Sequence, residues 1–238
     1  MVNIDTVYQK VLSLANKEQR GYITPQEFNL MADKVQLEIF DSYFHDVKTT
    51  DMKPKTNLFH ADELYIIEDK ISLFRTSSNT ILEVGMNNIL SLPSDFYRLK
   101  YLSIPSTLYP SLQYVEAHEV NEKDLATTDI HPLMKPTNTR PVFYRRSNGL
   151  HIKPGFTEDV GVTLVYYKKP STPAWAYVVV NGKALYNNNL SVNFELHPSE
   201  EEVIVAKILA LAGVVIMKPE IVQYGSGMDM AIKQSQND

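Results

Sequence analysis

One stretch of the sequence, Asn16–Glu27, has the residue spacing of a calcium-binding EF-hand loop. Gly21 occupies loop position 6, where the chain must turn sharply, and Glu27 occupies position 12, where a bidentate carboxylate is required. However, position 1 is Asn16 rather than Asp, and position 5 is Arg20, a cation where a ligand oxygen belongs. A corner between two helices also fits, with Gly21 permitting the turn and Glu27 capping the next helix. We favour the corner and keep a degenerate EF-hand-like calcium-binding module as an alternative.

The other residues that could carry catalysis or bind a metal are scattered. The chain has no cysteine, which excludes thiolate catalysis, disulfides and Cys-ligated metals. Its six histidines lack zinc-ligand spacing, and there is neither a Gly-rich phosphate loop nor a Gly-x-Ser-x-Gly motif. The clustered carboxylates Glu195 and Glu200–Glu202 are explained by helix capping and solvation. We therefore predict a protein that is not an enzyme and has no catalytic residues, metal or cofactor.

A pair of arginines, Arg145 and Arg146, follows Tyr144 beside a predicted hairpin turn. Arginine near an aromatic ring can grip a phosphate or stack on a base, and it can equally keep a strand edge soluble. The formal net charge is −5, with a pI near 5.7, which argues against a polycation that holds nucleic acid by its phosphates. A channel through which DNA merely passes is compatible with this charge.

The carboxy-terminal segment from Tyr224 to Asp238 combines a hinge, Gly225-Ser226-Gly227, with alternating apolar side chains. Its own domain has little need of these side chains, so we predict that they dock on a neighbouring protein. The predicted docking residues are Tyr224, Met228, Met230 and Ile232. A frayed terminus without a partner is the alternative.

Helical patterns occupy both ends of the chain. Apolar residues recur at helical spacing over about residues 4–18 and 61–75, and Thr24-Pro25-Gln26-Glu27 forms a capping box that starts another helix. Near the other end, Val203–Met217 is almost entirely apolar, but it is too short for a membrane span and contains Lys207. We predict that it is a buried helix enclosed by the amino-terminal helices, by another subunit, or by both.

Between the helical ends the pattern changes to short strands. Runs of β-branched and aromatic residues recur about every 10 residues, separated by Pro, Gly and Asn. Asn148-Gly149 is the strongest hairpin signal, because both residues accept positive φ. This spacing is typical of an antiparallel sandwich or barrel.

We therefore predict an α+β protein with two domains. Residues 1–78 and 197–238 are expected to form one helical domain, a bundle made by both chain ends, because the apolar helix needs amphipathic partners. Residues 79–196 are expected to form an inserted β-rich domain with an antiparallel sandwich or barrel fold.

Several segments together resemble one family of proteins. They are Asn16–Phe28, Leu92–Leu99, Pro141–Tyr144, Tyr166–Pro170 and Phe194–Ser199. They resemble virion structural proteins of crAss-like and related short-tailed bacteriophages, specifically the head-to-tail adaptor or ring (connector) proteins. The layout of a helical bundle joined to a β-rich domain is similar to tail tubular protein A of podoviruses.

The resemblance implies a subunit of a homo-oligomeric ring, commonly a dodecamer, made in the host bacterial cytoplasm and located in the virion at the head-tail connector. It implies contacts with the portal protein and with adjacent tail or ring proteins. It also implies transient, non-specific contact with genomic DNA in the lumen during DNA ejection, and no contact with a membrane. A second alternative is a tail-associated glycan-binding or glycan-degrading protein, in which Trp175 would form a sugar platform.

Overall fold

A computed structural model describes residues 1–16, 23–52, 58–82, 88–105, 114–156, 160–215, 227–228 and 230. These residues form a mixed α+β fold of helices and a curled seven-stranded sheet. They fall into two compact units, of which the first combines Met1–Leu73 with Pro170–Asp238. The second unit is the inserted segment Phe74–Lys169.

Most of the described helices lie toward the two ends of the chain, and the strands lie between them. The helices are α1 (Ile4–Asn16), α2 (Pro25–Met52), α3 (Leu58–Ser72), α4 (Glu122–Ile130) and α5 (Glu201–Val215), with a short 3-10 helix at Pro198–Glu200. The strands are β1 (Arg75–Leu82), β2 (Ile89–Leu90), β3 (Phe96–Pro105), β4 (Tyr114–Glu119), β5 (Val142–Arg146), β6 (Gly149–Lys153), β7 (Val160–Lys168), β8 (Tyr177–Val180) and β9 (Lys183–Tyr186).

Helix α2 begins at the predicted capping box. The Glu27 carboxylate accepts hydrogen bonds from the Thr24 backbone N–H at 2.9 Å and from the Thr24 hydroxyl at 2.8 Å. In return, the Glu27 backbone N–H donates to the Thr24 hydroxyl oxygen at 3.3 Å. Donors that the first turn leaves without intrahelical partners are thereby satisfied, and the prediction for this helix start is confirmed.

Helix α5 is enclosed by its own unit, where it contacts α1 and α2. Its buried side chains are Val203, Ile204, Val205, Ala206, Ile208, Leu209 and Ala212. The lysine within this apolar run, Lys207, extends to Glu38 of α2, where the Nζ–Oε1 distance is 2.6 Å. Because the chain itself covers this helix, α5 gives no reason to invoke a second subunit.

The segment that follows the insertion belongs to the first unit, whereas we predicted it in the β-rich domain. Two side-chain amides of α2 bind it. Asn29 accepts from the Trp175 backbone N–H at 2.8 Å and donates to the Trp175 carbonyl at 3.3 Å. Gln36, fully buried, donates to the Ser171 carbonyl at 2.7 Å and accepts from the Glu195 backbone N–H at 3.1 Å. These bonds connect residues far apart in sequence, which explains why local pattern placed the boundary differently.

The second unit contains one curled sheet, a half-barrel, with strand order β1-β7-β3-β4-β5-β6-β2. All neighbouring pairs are antiparallel except β4 and β5, which run parallel in the register His118↔Val142 and Glu119↔Phe143. The prediction of an antiparallel sandwich or barrel is confirmed in part, since the sheet is curled into a half-barrel and one of its strand pairs is parallel. The reason is the long connection through α4, after which β5 lies beside β4 and runs in the same direction.

The core of the second unit lies on one face of this sheet. It consists of Leu90, Leu102, Ile104, Ala117, Phe143, Leu150, Ile152, Val160, Val162, Leu164 and Tyr166. The predicted hairpin pairs β5 with β6, and its last register pair is Arg146↔Gly149. The turn therefore lies one residue earlier than Asn148-Gly149, over Ser147 and Asn148, and Gly149 itself has a φ of 137°.

Candidate functional site

The strands β8 and β9 form a separate two-stranded ribbon in the first unit. Val178 pairs with Leu185 and Val180 with Lys183, and the turn between the strands is Asn181-Gly182. Both turn residues have positive φ, 50° for Asn181 and 76° for Gly182, which is the requirement of a two-residue hairpin turn that matches strand twist.

This ribbon exposes apolar side chains on both faces. Val178 and Val180 share a face with Leu185, and Val179 points to the opposite face. Their exposed fractions are 50%, 45%, 52% and 63%, in that order. Over residues 177–192 the only charged residue is Lys183. We call the surface formed by Val178, Val180 and Leu185 the open ribbon face.

An aromatic cluster holds the base of the ribbon. Trp175 stacks on Tyr177 and Tyr186, with ring centroids 5.8 and 5.7 Å away, and lies 4.4 Å from the Tyr8 ring of α1. The Trp175 indole N–H donates to Asp5 at 2.9 Å, and the side chain is 3% exposed. A sugar platform requires an accessible ring face, so Trp175 does not support the glycan-binding alternative.

We did not predict this hairpin from the sequence. The signal was present, because Asn181-Gly182 is the same dipeptide that marked the hairpin at 148–149. It was missed because the valine run Val178–Val180 reads as one buried strand, whereas the structure leaves it exposed.

The arginine pair that could have contacted nucleic acid is engaged within the second unit. Arg145 pairs with Glu119 at 2.8 Å, and Arg146 pairs with Glu122, while the Arg146 guanidinium lies 5.2 Å from the Tyr144 ring centroid. The Arg146 ion pair lowers the pKa of Glu122. These contacts favour the interpretation that the arginines hold α4 and the end of β4 to the hairpin.

The EF-hand-like stretch lies partly outside the described residues, since 17–22, including Gly21 and Arg20, are not described. Its final residue, Glu27, is used as a helix cap. The hydrogen bonds from the Thr24 backbone and hydroxyl lower the pKa of Glu27. This geometry favours the helix-corner interpretation over a calcium ligand.

Of the four predicted docking residues in the carboxy-terminal tail, two are described. Met228 is half-buried and Met230 is 66% exposed, whereas Tyr224 and Ile232 lie outside the described residues. The docking role of this tail stays a prediction.

One buried titratable cluster lies in the first unit. Glu200, 4% exposed, forms an ion pair with Lys70 of α3 at 2.7 Å, and the Lys70 Nζ lies 6.0 Å from the Tyr43 ring centroid. Burial and the Glu200 carboxylate raise the pKa of Tyr43, which therefore stays protonated. Lys70 neutralises the Glu200 carboxylate, so the arrangement connects α2, α3 and the start of α5 rather than presenting a reactive group.

Two kinds of feature are absent from the described residues. None of their His, Asp and Glu side chains form a group of three or more that could hold a metal ion. In the same part of the chain, no helix has the length and apolar content needed to cross a membrane.

No protein-family model matches this chain, and no curated protein matches it. The functional argument therefore starts from the chemistry of the described surfaces. Among these surfaces, the open ribbon face combines exposed apolar side chains on one face of a two-stranded ribbon.

Proposed function

We propose that this protein is a virion structural protein that assembles with copies of itself into a closed ring, as a head-to-tail adaptor between portal and tail. The single observation that carries the proposal is the open ribbon face. A two-stranded ribbon is marginally stable alone, and exposing valines on both faces adds a cost that a partner removes. A ribbon that packs on the next copy, whose own ribbon packs on the copy after it, is a head-to-tail interface, which closes into a ring at a suitable rotation.

The body of this subunit, in the proposal, is a helical bundle made by both chain ends. Contacts of α5 with α1 and α2, and of α3 with α2, support this arrangement. Lys10 of α1 pairs with Glu201 and Glu202 of α5 at 2.7 and 2.5 Å, so charges join the first and last helices as well. The role is structural, without catalysis, and DNA passes through the lumen of the ring.

The test is the oligomeric state of the purified full chain. Size-exclusion chromatography with light scattering gives the mass, and negative-stain images show whether the particles are closed rings. We expect Val178→Glu with Leu185→Glu to raise the concentration for half-dissociation about 30-fold or more, because two charges replace apolar contacts at the centre of the interface. Gln9→Glu with Gln26→Glu adds the same charge at exposed polar positions of α1 and α2 and should leave assembly unchanged.

A monomeric wild type at tens of micromolar protein, or assembly that both double variants weaken equally, would contradict the proposal. A dimer without closed rings would also contradict it, since a ring needs a heterologous interface.

The carboxy-terminal tail provides a second test, directed at the neighbours of the ring. Deleting residues 224–238 should leave the melting temperature of the subunit nearly unchanged and abolish co-assembly with the portal protein or an adjacent ring. Unaltered co-assembly of the truncated chain would refute the docking role of Tyr224, Met228, Met230 and Ile232.

A further inference from the structure

The sheet of the second unit has a face opposite to its core. Directly paired residues of antiparallel strands share a face. Three rows of paired residues cross β1, β7 and β3 on this side: Arg75–Tyr167–Arg98, Ser77–Val165–Tyr101 and Asn79–Thr163–Ser103. The residues between them, such as Leu164 and Leu102, belong to the core on the other side. We call the surface formed by these three rows the outer sheet face.

The outer sheet face differs in charge from the chain as a whole. Its first row carries two exposed cations, Arg75 and Arg98, on either side of Tyr167. In the next row Tyr101 is 39% exposed, whereas Val165 between the strands is 7% exposed and not accessible to a ligand. The third row consists of hydroxyl and amide side chains. None of the nine residues is acidic, although the full chain has a net charge of −5.

The same face continues onto β4, where the first acid occurs. Glu116 lies opposite Ser103, in line with the third row and away from the arginines. Tyr114, 56% exposed, lies opposite Pro105 at the far end of β4. The cations are thus concentrated at one end of the face and the exposed tyrosines are spread along it.

From this arrangement we propose that the outer sheet face binds the phosphodiester backbone of nucleic acid without reading its sequence. A guanidinium matches a phosphate group in shape and charge, and hydroxyl and amide groups donate to phosphate oxygens. Exposed tyrosines can stack on the bases of a single strand. Two arginines make a weak, salt-sensitive contact, which suits a polymer that must move along the surface.

The inference rests on the proposed function for the identity of the polymer, DNA in the lumen of a ring. The side chains of the outer sheet face would recognise any phosphodiester chain. Single-stranded and duplex DNA share this backbone, and a tyrosine variant distinguishes them, because only unpaired bases are free to stack on tyrosine.

The experiment measures fluorescence anisotropy of labelled oligonucleotides with the full chain. The probes are a thymidine single strand and a mixed-sequence duplex, each of about 30 nucleotides or base pairs, titrated between about 25 and 200 mM salt. Wild type should bind with a salt-dependent affinity. Arg75→Ala with Arg98→Ala should lower the slope of log K against log salt by about 2 and weaken binding about tenfold or more at the lowest salt.

Two matched variants separate the site from general charge. Lys34→Ala with Lys123→Ala removes the same charge from exposed positions of α2 and α4 and should leave the affinity nearly unchanged. Arg75→Lys with Arg98→Lys keeps two cations for the phosphates and should retain most of the binding. If bases stack on Tyr101, Tyr101→Ala should weaken binding of the single strand about fivefold or more and leave binding of the duplex unchanged. If Tyr101→Ala binds both probes as tightly as the wild type does, the contact is to phosphates alone, and this outcome also supports the proposal.

Absence of binding by the wild type at the lowest salt overturns the inference, and so does an equal loss in the arginine and lysine double variants. Circular dichroism and melting temperature establish that each variant is folded. If Arg75→Ala with Arg98→Ala does not fold, the comparison of Arg75→Lys with Arg98→Lys against the wild type keeps the test decisive. Light scattering on the same samples separates the two proposals. If the chain forms rings that do not bind DNA, only the proposal of DNA binding by the outer sheet face is refuted. If the chain binds DNA without assembling, only the proposal of a ring is refuted.

Discussion

Gly149 opens strand β6 with a φ of 137°, and a Cβ at this position would meet the carbonyl oxygen of Leu90 in β2. An L side chain is strained in this backbone conformation even where space is available. We expect Gly149→Ala to lower the free energy of unfolding by about 2 kcal/mol or more, measured by urea denaturation with far-ultraviolet circular dichroism.

The matched control for this substitution is Gly161→Ala in β7 of the same sheet. A Cβ at Gly161 has no atom within 4 Å, so alanine there should be neutral or stabilising by up to about 1 kcal/mol. Equal effects at the two glycines would show that the close approach to Leu90 does not constrain the fold.

Glu27 gives the start of α2 a defined pH dependence. Hydrogen bonds from the Thr24 backbone and hydroxyl lower the pKa of its carboxyl below the ordinary 4.5. The stabilisation is therefore present above pH 4.5 and is lost as the pH falls through the lower folded-state pKa. Glu27→Gln keeps an acceptor for the cap but does not titrate, so the loss of stability between about pH 5 and pH 3 should become shallower.

Thermal unfolding at a series of pH values measures this effect. Thr24→Val serves as the matched variant, because it removes the hydroxyl donor and leaves the carboxylate in place. In that background, Glu27→Gln should change the pH profile less than it does in the wild type. An identical change in both backgrounds would mean that the hydroxyl does not contribute to the lowered pKa.

At the scale of elements, the β8–β9 ribbon depends on the aromatic cluster at its base. Trp175→Ala should cost about 3–5 kcal/mol, since it removes a buried ring that contacts Tyr8, Tyr177 and Tyr186. Trp175→Phe keeps a ring and loses the hydrogen bond to Asp5, for a smaller cost of about 1 kcal/mol or more. Urea denaturation followed by circular dichroism measures both costs. A loss below about 1 kcal/mol for the alanine variant would show that the ribbon does not need this base.

Sequence reasoning located the elements whose signals are local. The start of α2 follows from Thr24 and Glu27, which lie within one helical turn, and β5 and β6 follow from a turn dipeptide between two apolar runs. The parallel pairing of β4 with β5 could not be predicted in this way, because it depends on how a long connection returns to the sheet. The same limit applies to the candidate site. The ribbon joins the helical unit through Trp175, Asn29 and Tyr8, contacts between residues far apart in sequence.

At the scale of the whole molecule, the insertion has the properties of an independent folding unit. Its ends meet in neighbouring strands, since Arg75 pairs with Tyr167 and the Lys168 backbone N–H donates to the Phe74 carbonyl at 2.9 Å. Its core is drawn from strands β2 to β7, all inside the segment Phe74–Lys169. The two ends of the insertion are already held together by its own sheet. The rest of the chain therefore contributes little to the stability of this unit.

We therefore expect residues 74–169, expressed alone, to fold into the same sheet and unfold cooperatively, with a free energy of unfolding of about 5 kcal/mol. Gly149→Ala should destabilise this fragment as much as it destabilises the full chain, because Leu90 and Gly149 both lie within it. The sole tryptophan, Trp175, lies outside the fragment, so in the full chain its fluorescence reports the first unit while circular dichroism reports both. Circular dichroism and amide hydrogen exchange of the fragment provide the measurement. A fragment without cooperative unfolding or protected amides in β3 and β7 would show that the sheet requires the first unit to fold.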